Sequence, residues 1–200
     1  MFTPPRERYA GYIFDCDGTL ADTMPIHHGA WLSALRKHGA SFDFGWELFM
    51  SRAGKTIELT VAELNEQFGT ALDPLLVAAD QRAGFDVLAP TVLALAPVVE
   101  FARARAAEGA KVSVASGGDA LTVNRTLRTI GVADLFQIVV TAEEVTHGKP
   151  APDLFLLAAA RMGVAPEQCL VFEDAALGIL AAERAGMDSV LVVPPRPSAV

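Results

Sequence analysis

From residue 111 onward the chain repeats a single pattern: a short apolar run, a turn, and a helix-length segment closed by glycine. Residues 111–116, 136–141, 169–173 and 189–193 read as strands. Residues 119–130, 152–162 and 175–185 read as helices, stopped by Gly131, Gly163 and Gly186. Such alternation predicts a parallel sheet wound by helices, because parallel neighbours need a helical crossover between them. An earlier run, residues 11–15, is apolar at Tyr12, Ile13 and Phe14, which suits a central strand covered on both faces. The expected fold class is α/β, a Rossmann-like parallel-sheet core.

Between the first strand and this repeat the pattern is helical. Residues 22–39 carry Pro25 in a first turn, an apolar stripe of Trp31, Leu32 and Leu35, and Gly39 as a stop. Residues 56–68 place Ile57, Val61, Leu64 and Phe68 at helical spacing before Gly69. Asp73-Pro74 is an N-cap and first-turn pair for a helix running to about Arg82. Ala89-Pro90 reads as the return, and Pro97 opens a helix over residues 98–108, stopped by Gly109. The expected organisation is a core of residues 1–21 and 90–200 with an inserted α-helical cap over residues 22–89.

Composition narrows the function. A hydrophobic content of 52% in 200 residues is enough for a substantial core, and a net charge of −8 argues against a general nucleic-acid binder. Two cysteines, Cys16 and Cys169, imply no disulfide framework; reduced thiols and a cytoplasmic location are the expectation. Residues 1–8 contain no apolar core of a signal peptide, and Pro90 and Pro97 break the longest apolar stretch, residues 87–99, so no membrane partner is expected. A monomer is expected.

The polar residues at the predicted strand ends carry the chemistry. The first strand ends in Asp15, with Asp17 two residues on; the second ends in Ser116-Gly117-Gly118; Lys149 follows the third; Glu173-Asp174 closes the fourth. Ligands of open parallel sheets bind beyond these carboxyl ends. Asp15 is placed as a nucleophile towards phosphorus, and Asp17 as the acid that protonates the leaving alkoxide and then activates water. Asp15, the Asp17 carbonyl, Asp174 and Glu173 make an all-oxygen set suited to Mg²⁺, though Glu173 also reads as an outer, hydrogen-bonding carboxylate. Ser116, the backbone around Gly117 and Gly118, and Lys149 are positioned to hold phosphoryl oxygens. The expected ligand is a small phosphorylated metabolite.

Asp15-Cys16-Asp17-Gly18-Thr19-Leu20, Ser116-Gly117-Gly118, Gly148-Lys149-Pro150-Ala151-Pro152-Asp153 and Phe172-Glu173-Asp174 with Gly178 resemble the four ordered motifs of the haloacid-dehalogenase superfamily. Asp22-Thr23-Met24-Pro25 through Ala30-Trp31 is similar to the branch with a helical cap after the first motif, which holds β-phosphoglucomutase and sugar-phosphate phosphatases. The opening Arg8-Tyr9-Ala10-Gly11, with Ala160-Arg161-Met162-Gly163-Val164 and Val171-Phe172-Glu173-Asp174, most resembles the bacterial fructose-1-phosphate/6-phosphogluconate phosphatase group. The resemblance implies the same roles for Asp15, Asp17, Ser116, Lys149, Glu173 and Asp174. Asp17 also speaks against dehalogenation, since the dehalogenases that named the superfamily lack this second aspartate.

The remaining polar features have plainer readings beside functional ones. Cys16 points away from the aspartates by strand alternation, and Cys169 belongs to the core. His27 lines a cleft or packs at a hinge; His28 lies beside it; His147 helps to place Lys149; Trp31 and Trp46 pack. Gly54-Lys55-Thr56 is like the end of a P-loop, but Phe49 stands where the first glycine belongs. Arg52 and Lys55 in this stretch are substrate-selecting cations by resemblance, or solvated surface charge. The expected activity is a Mg²⁺-dependent sugar or sugar-acid phosphatase working through an aspartyl-phosphate. A phosphosugar mutase and a non-catalytic phosphate-binding module are the alternatives.

Overall fold

The structure, a computed structural model, describes residues 2–3 and 9–193. Most of the opening segment read for a signal peptide, and Arg8 of the Arg8-Tyr9-Ala10-Gly11 resemblance, lie outside the described residues. The chain divides into two compact units. One runs up to Asp22 and resumes at Val92; the other is Thr23–Thr91.

The first unit is a five-stranded, all-parallel sheet. Its strands are β1 (Gly11–Phe14), β2 (Lys111–Ala115), β3 (Val139–Val140), β4 (Cys169–Glu173) and β5 (Asp188–Leu191), in the order β3-β2-β1-β4-β5. The helices of this unit are α5 (Ala96–Ala107), α6 (Ala120–Thr129), α7 (Asp153–Met162) and α8 (Ala176–Arg184). Strand alternation sorts the core into two layers. Tyr12, Phe14, Leu170 and Phe172 point to one side and pack with Val98, Ala102, Val123 and Leu127 of α5 and α6. Ile13 and Val171 point to the other and pack with Leu154, Phe155, Ala181 and Ala182 of α7 and α8. β1 and β4 are buried along their whole length, as strands covered on both faces require.

The second unit is helical: α1 (Met24–Lys37), α2 (Trp46–Met50), α3 (Ile57–Phe68) and α4 (Pro74–Leu88). Its core is built from Trp31, Leu35, Phe44, Phe49, Val61, Leu64 and Val77, among others. Thr56 caps α3 by accepting from the Leu59 N–H, and Asp73 caps α4 by accepting from the Leu75 and Leu76 N–H groups.

Several boundaries differ from the sequence reading. β3 is only Val139–Val140, not residues 136–141, because Phe136 is apolar for burial in the core and not for strand pairing. β5 begins at Asp188 and ends at Leu191. α4 continues to Leu88, six residues past Arg82, through Gly84. A Cβ at Gly84 would lie 3.3 Å from the Cβ of Ala30, so this glycine lets α1 and α4 approach rather than ending a helix. Ala89-Pro90 is no sharp return: Ala89–Thr91 forms a 3₁₀ turn that completes the helical unit.

Candidate active site

The acidic groups gather at the carboxyl ends of the parallel strands. Asp15 directly follows β1, and its N–H donates to the Phe172 carbonyl of β4 at 2.9 Å. Ser116 directly follows β2, and its N–H donates to the Val140 carbonyl of β3 at 2.9 Å. The loop beyond β3 delivers Lys149, and the end of β4 delivers Glu173 and Asp174. Central strands thus place Asp15 and Glu173 side by side, which is why two carboxylates separated by 158 residues in the chain can share one cation.

Lys149 is that cation. Its Nζ donates to Asp15 Oδ1 at 2.7 Å and to Glu173 Oε1, with 7% of the lysine side chain exposed. The ammonium also lies 5.1 Å from the centre of the Phe155 ring. Glu173 accepts a second bond, from the Ala175 N–H to Oε2 at 2.7 Å. One oxygen each of Asp15, Glu173 and Asp174 falls within 4.8 Å of the others. Ser116 is buried, and its Oγ accepts from the Gly118 N–H at 3.1 Å. A Cβ at Gly118 would meet Val123 at 3.1 Å, Ser116 Oγ at 3.4 Å and Asp17 Oδ2 at 3.8 Å, so Asp17 and Ser116 face the same small volume. A Cβ at Gly117 would meet nothing within 4 Å.

The sequence of the whole sheet-bearing chain matches known proteins. The haloacid dehalogenase-like hydrolase family matches residues 9–186. The chain belongs to that family. Fructose-1-phosphate phosphatase YqaB of Escherichia coli K12 is 38% identical over 186 residues, covering 92% of this chain and 96% of the relative. Hexitol phosphatase A of the same organism is 31% identical over 194 residues, covering 94% and 85%. A hydrolase of known structure from Pseudomonas syringae is 28% identical with a TM-score of 0.77, covering 90% of this chain and 82% of its own. The family accounts for the order of the motifs along the chain; the local chemistry follows from the geometry of this hydrolase.

Burial is the dominant electrostatic fact. It raises the Asp15 carboxyl, against the opposing pull of Lys149 and with help from Glu173 and Asp17, from 3.8 to about 7. Burial, then Asp15 and Glu173, push Asp174 well above the usual carboxylate range, again against Lys149. Burial also opposes the charge of Lys149, but Asp15 and Glu173 outweigh it and raise the lysine above its ordinary value. One ammonium cannot neutralise three gathered carboxylates. Moreover, Asp174 Oδ2 is buried with no hydrogen-bond partner among the described residues. An unneutralised, all-oxygen cluster with an orphaned buried oxygen fits a hard divalent cation.

The other polar residues have surroundings of their own. Cys16 is fully buried among apolar side chains, and burial, then Asp17 and Asp15, raise its thiol well above the usual value. Cys169 lies in the opposite core layer. His27 stacks on Phe85 at 4.1 Å, with its Nδ1 3.2 Å from Gln81 Nε2. His28 lies against Phe44, Trp46 and Phe49. His147 Nδ1 is 3.3 Å from Asp153 Oδ2. Arg52 and Lys55 belong to the helical unit, where both donate to Glu63, Lys55 at 2.6 and 2.8 Å; Arg52 also reaches Gln67 Oε1 at 2.5 Å. Among the described residues no helix is long and apolar enough to cross a membrane.

Two glycines of the motifs have a spatial role that the sequence reading did not assign. Gly18 has a φ of +79°, and a Cβ there would sit 2.1 Å from Asp174 Oδ2. Gly178 lies inside α8, and a Cβ there would sit 1.9 Å from Glu173 Oε1. For Gly178, a glycine inside a helical segment, where alanine is the better helix former, was the available signal.

Proposed function

We propose that this hydrolase is a Mg²⁺-dependent phosphatase for a small sugar or sugar-acid phosphate such as fructose-1-phosphate. One observation carries the reading: a buried Asp15, held by Lys149, stands beside the orphaned carboxylate oxygen of Asp174 at the ends of central parallel strands. The names of two relatives, a fructose-1-phosphate phosphatase and a hexitol phosphatase, support the substrate class.

Asp15 is the nucleophile. Lys149 fixes one of its oxygens at 2.7 Å, and the other attacks phosphorus. The P–O bond to the sugar breaks as the Asp15–phosphorus bond forms, and Asp17 gives its proton to the leaving alkoxide. Asp17 then takes a proton from water. The resulting hydroxide attacks the aspartyl-phosphate, and phosphate leaves with the Asp15 carboxylate restored. Ser116, the Gly117 and Gly118 backbone, and Lys149 hold the phosphoryl oxygens, whose transition-state charge is stabilised with least reorganisation when the donors are already in place. Asp15, Asp174 and the Asp17 carbonyl are the proposed holders of Mg²⁺, which supplies charge neutralisation between nucleophile and phosphate when bound. Glu173, with hydrogen bonds to both oxygens, is assigned mainly to orienting Lys149 and secondarily to the cation.

Arg52 and Lys55 are proposed to select the substrate, on the resemblance of their stretch to the family's specificity loop. Two cations on the single carboxylate of Glu63 leave one positive charge over, which suits an anionic or hydroxyl-rich ligand group. The two buried free thiols accord with a reducing cytoplasm. A panel of sugar phosphates assayed for inorganic phosphate, with Mg²⁺ and with a chelator, tests the reading. Mg²⁺-dependent release from fructose-1-phosphate is expected. Interconversion of glucose phosphates without net release would instead mark a mutase.

A further inference from the structure

We infer that Gly178 is a positioning residue for catalysis, acting on Lys149 through Glu173; the inference rests on the phosphatase reading above. Gly178 lies in α8 with an ordinary helical backbone, so no left-handed conformation demands glycine. At a helical position with an ordinary backbone alanine is the better helix former. The sequence forgoes that gain, and the reason is spatial. A Cβ on Gly178 would lie 1.9 Å from Glu173 Oε1, 2.0 Å from Cδ and 2.5 Å from Cγ. These are side-chain atoms, not backbone, so α8 can keep its place while the glutamate is driven from its own.

The displaced carboxylate has two jobs. Its Oε2 accepts from the Ala175 N–H at 2.7 Å, at the start of α8, and its Oε1 accepts from Lys149 Nζ. Lys149 in turn holds Asp15 Oδ1 at 2.7 Å. Gly178, Glu173, Lys149 and Asp15 therefore form one contact chain from a helix backbone to the carboxylate of the nucleophile. A single added methyl group at its far end moves the ammonium that orients the nucleophile. Gly29 is the natural control: it is also helical, and a Cβ there would meet nothing within 4 Å.

The test combines kinetics with a crystal structure. Gly178→Ala is expected to lower kcat for fructose-1-phosphate about ten- to a hundred-fold, the range for a lost supporting contact to an active group, while Gly29→Ala stays within about twofold. In a Glu173→Ala background the group that collides is gone, so adding Gly178→Ala should cost less than about twofold more. The crystal structure of Gly178→Ala should show Glu173 Oε1 and Lys149 Nζ beyond about 3.5 Å, outside hydrogen-bond range. Wild-type turnover in Gly178→Ala, an equal loss in both backgrounds, or an unmoved Glu173–Lys149 pair would each overturn the inference. If Gly178→Ala does not fold, the Glu173→Ala/Gly178→Ala double variant must fold, and its failure too would overturn it. If the wild type releases no phosphate from any sugar phosphate, the functional reading fails, and the crystal structures alone decide whether Gly178 positions Lys149.

Discussion

At the scale of single residues, Lys149 is the cation that two buried carboxylates, Asp15 and Glu173, share. Lys149→Met should therefore abolish turnover and also destabilise the protein by about 3–5 kcal/mol at pH 8, the cost of stranding buried charge. Urea unfolding at pH 8 and pH 5 checks this, with a smaller loss expected at pH 5, where the stranded carboxylates can protonate. Asp15→Asn should behave oppositely. It removes one of the crowded negative charges at constant volume, so turnover is lost while the melting temperature at pH 8 holds or rises. The pH dependence follows from the same group. Asp15 has a folded-state pKa raised from 3.8 to about 7, so between those values the folded protein keeps a proton that the unfolded chain releases. That stabilisation is present at low pH and is lost as pH rises through about 7. Calorimetry of the chelator-treated protein should show a melting temperature that falls from pH 5 to pH 8. Adding Mg²⁺ should restore more at pH 8 than at pH 5, since cation binding competes with protons.

At the scale of elements, β4 joins the core to the site. Phe172 stacks on Phe14 at 4.8 Å and also meets Phe2 and Phe101, and the next two residues are Glu173 and Asp174. Phe172→Ala should cost about 3–5 kcal/mol in chemical denaturation, the range for emptying a buried aromatic site. Elements like this one were legible in the sequence: residues 169–173 are a strand from end to end, because this central parallel strand is apolar from Cys169 to Phe172 and turns polar only at Glu173, where it meets the site. Helix ends were legible where Gly131, Gly163 and Gly186 adopt φ of 71°, 67° and 72°. The edges were not. Phe136 is apolar for the core and not for the ladder, so β3 read too long. The helix after Asp73-Pro74 read too short, because it runs on to Leu88 through Gly84, which is a contact surface for Ala30. The site divides in the same way. Asp15, Asp17, Ser116, Lys149, Glu173 and Asp174 were legible as polar residues at strand ends. The collision that Gly178 avoids depends on how the Glu173 side chain folds back on α8, and the single Glu63 shared by Arg52 and Lys55 on how a turn meets a helix face, neither of which residue spacing alone fixes.

At the scale of the whole molecule, the sheet unit contains the complete acidic cluster, its lysine and its serine, while the helical unit carries Arg52 and Lys55. The proposed function puts chemistry and selection in separate parts of one family member, a division that variants in either unit test. The protein as a whole carries a net charge of −8, so the proposed phosphate site would rely on locally fixed donors and the proposed cation rather than on a general positive field. The most direct measurement is inorganic phosphate release from fructose-1-phosphate by the wild type and Asp15→Asn, each with Mg²⁺ and with a chelator. The expected result is release by the wild type with Mg²⁺ alone, and none by Asp15→Asn under either condition. Release by Asp15→Asn at the wild-type rate would contradict the assignment of Asp15 as the nucleophile.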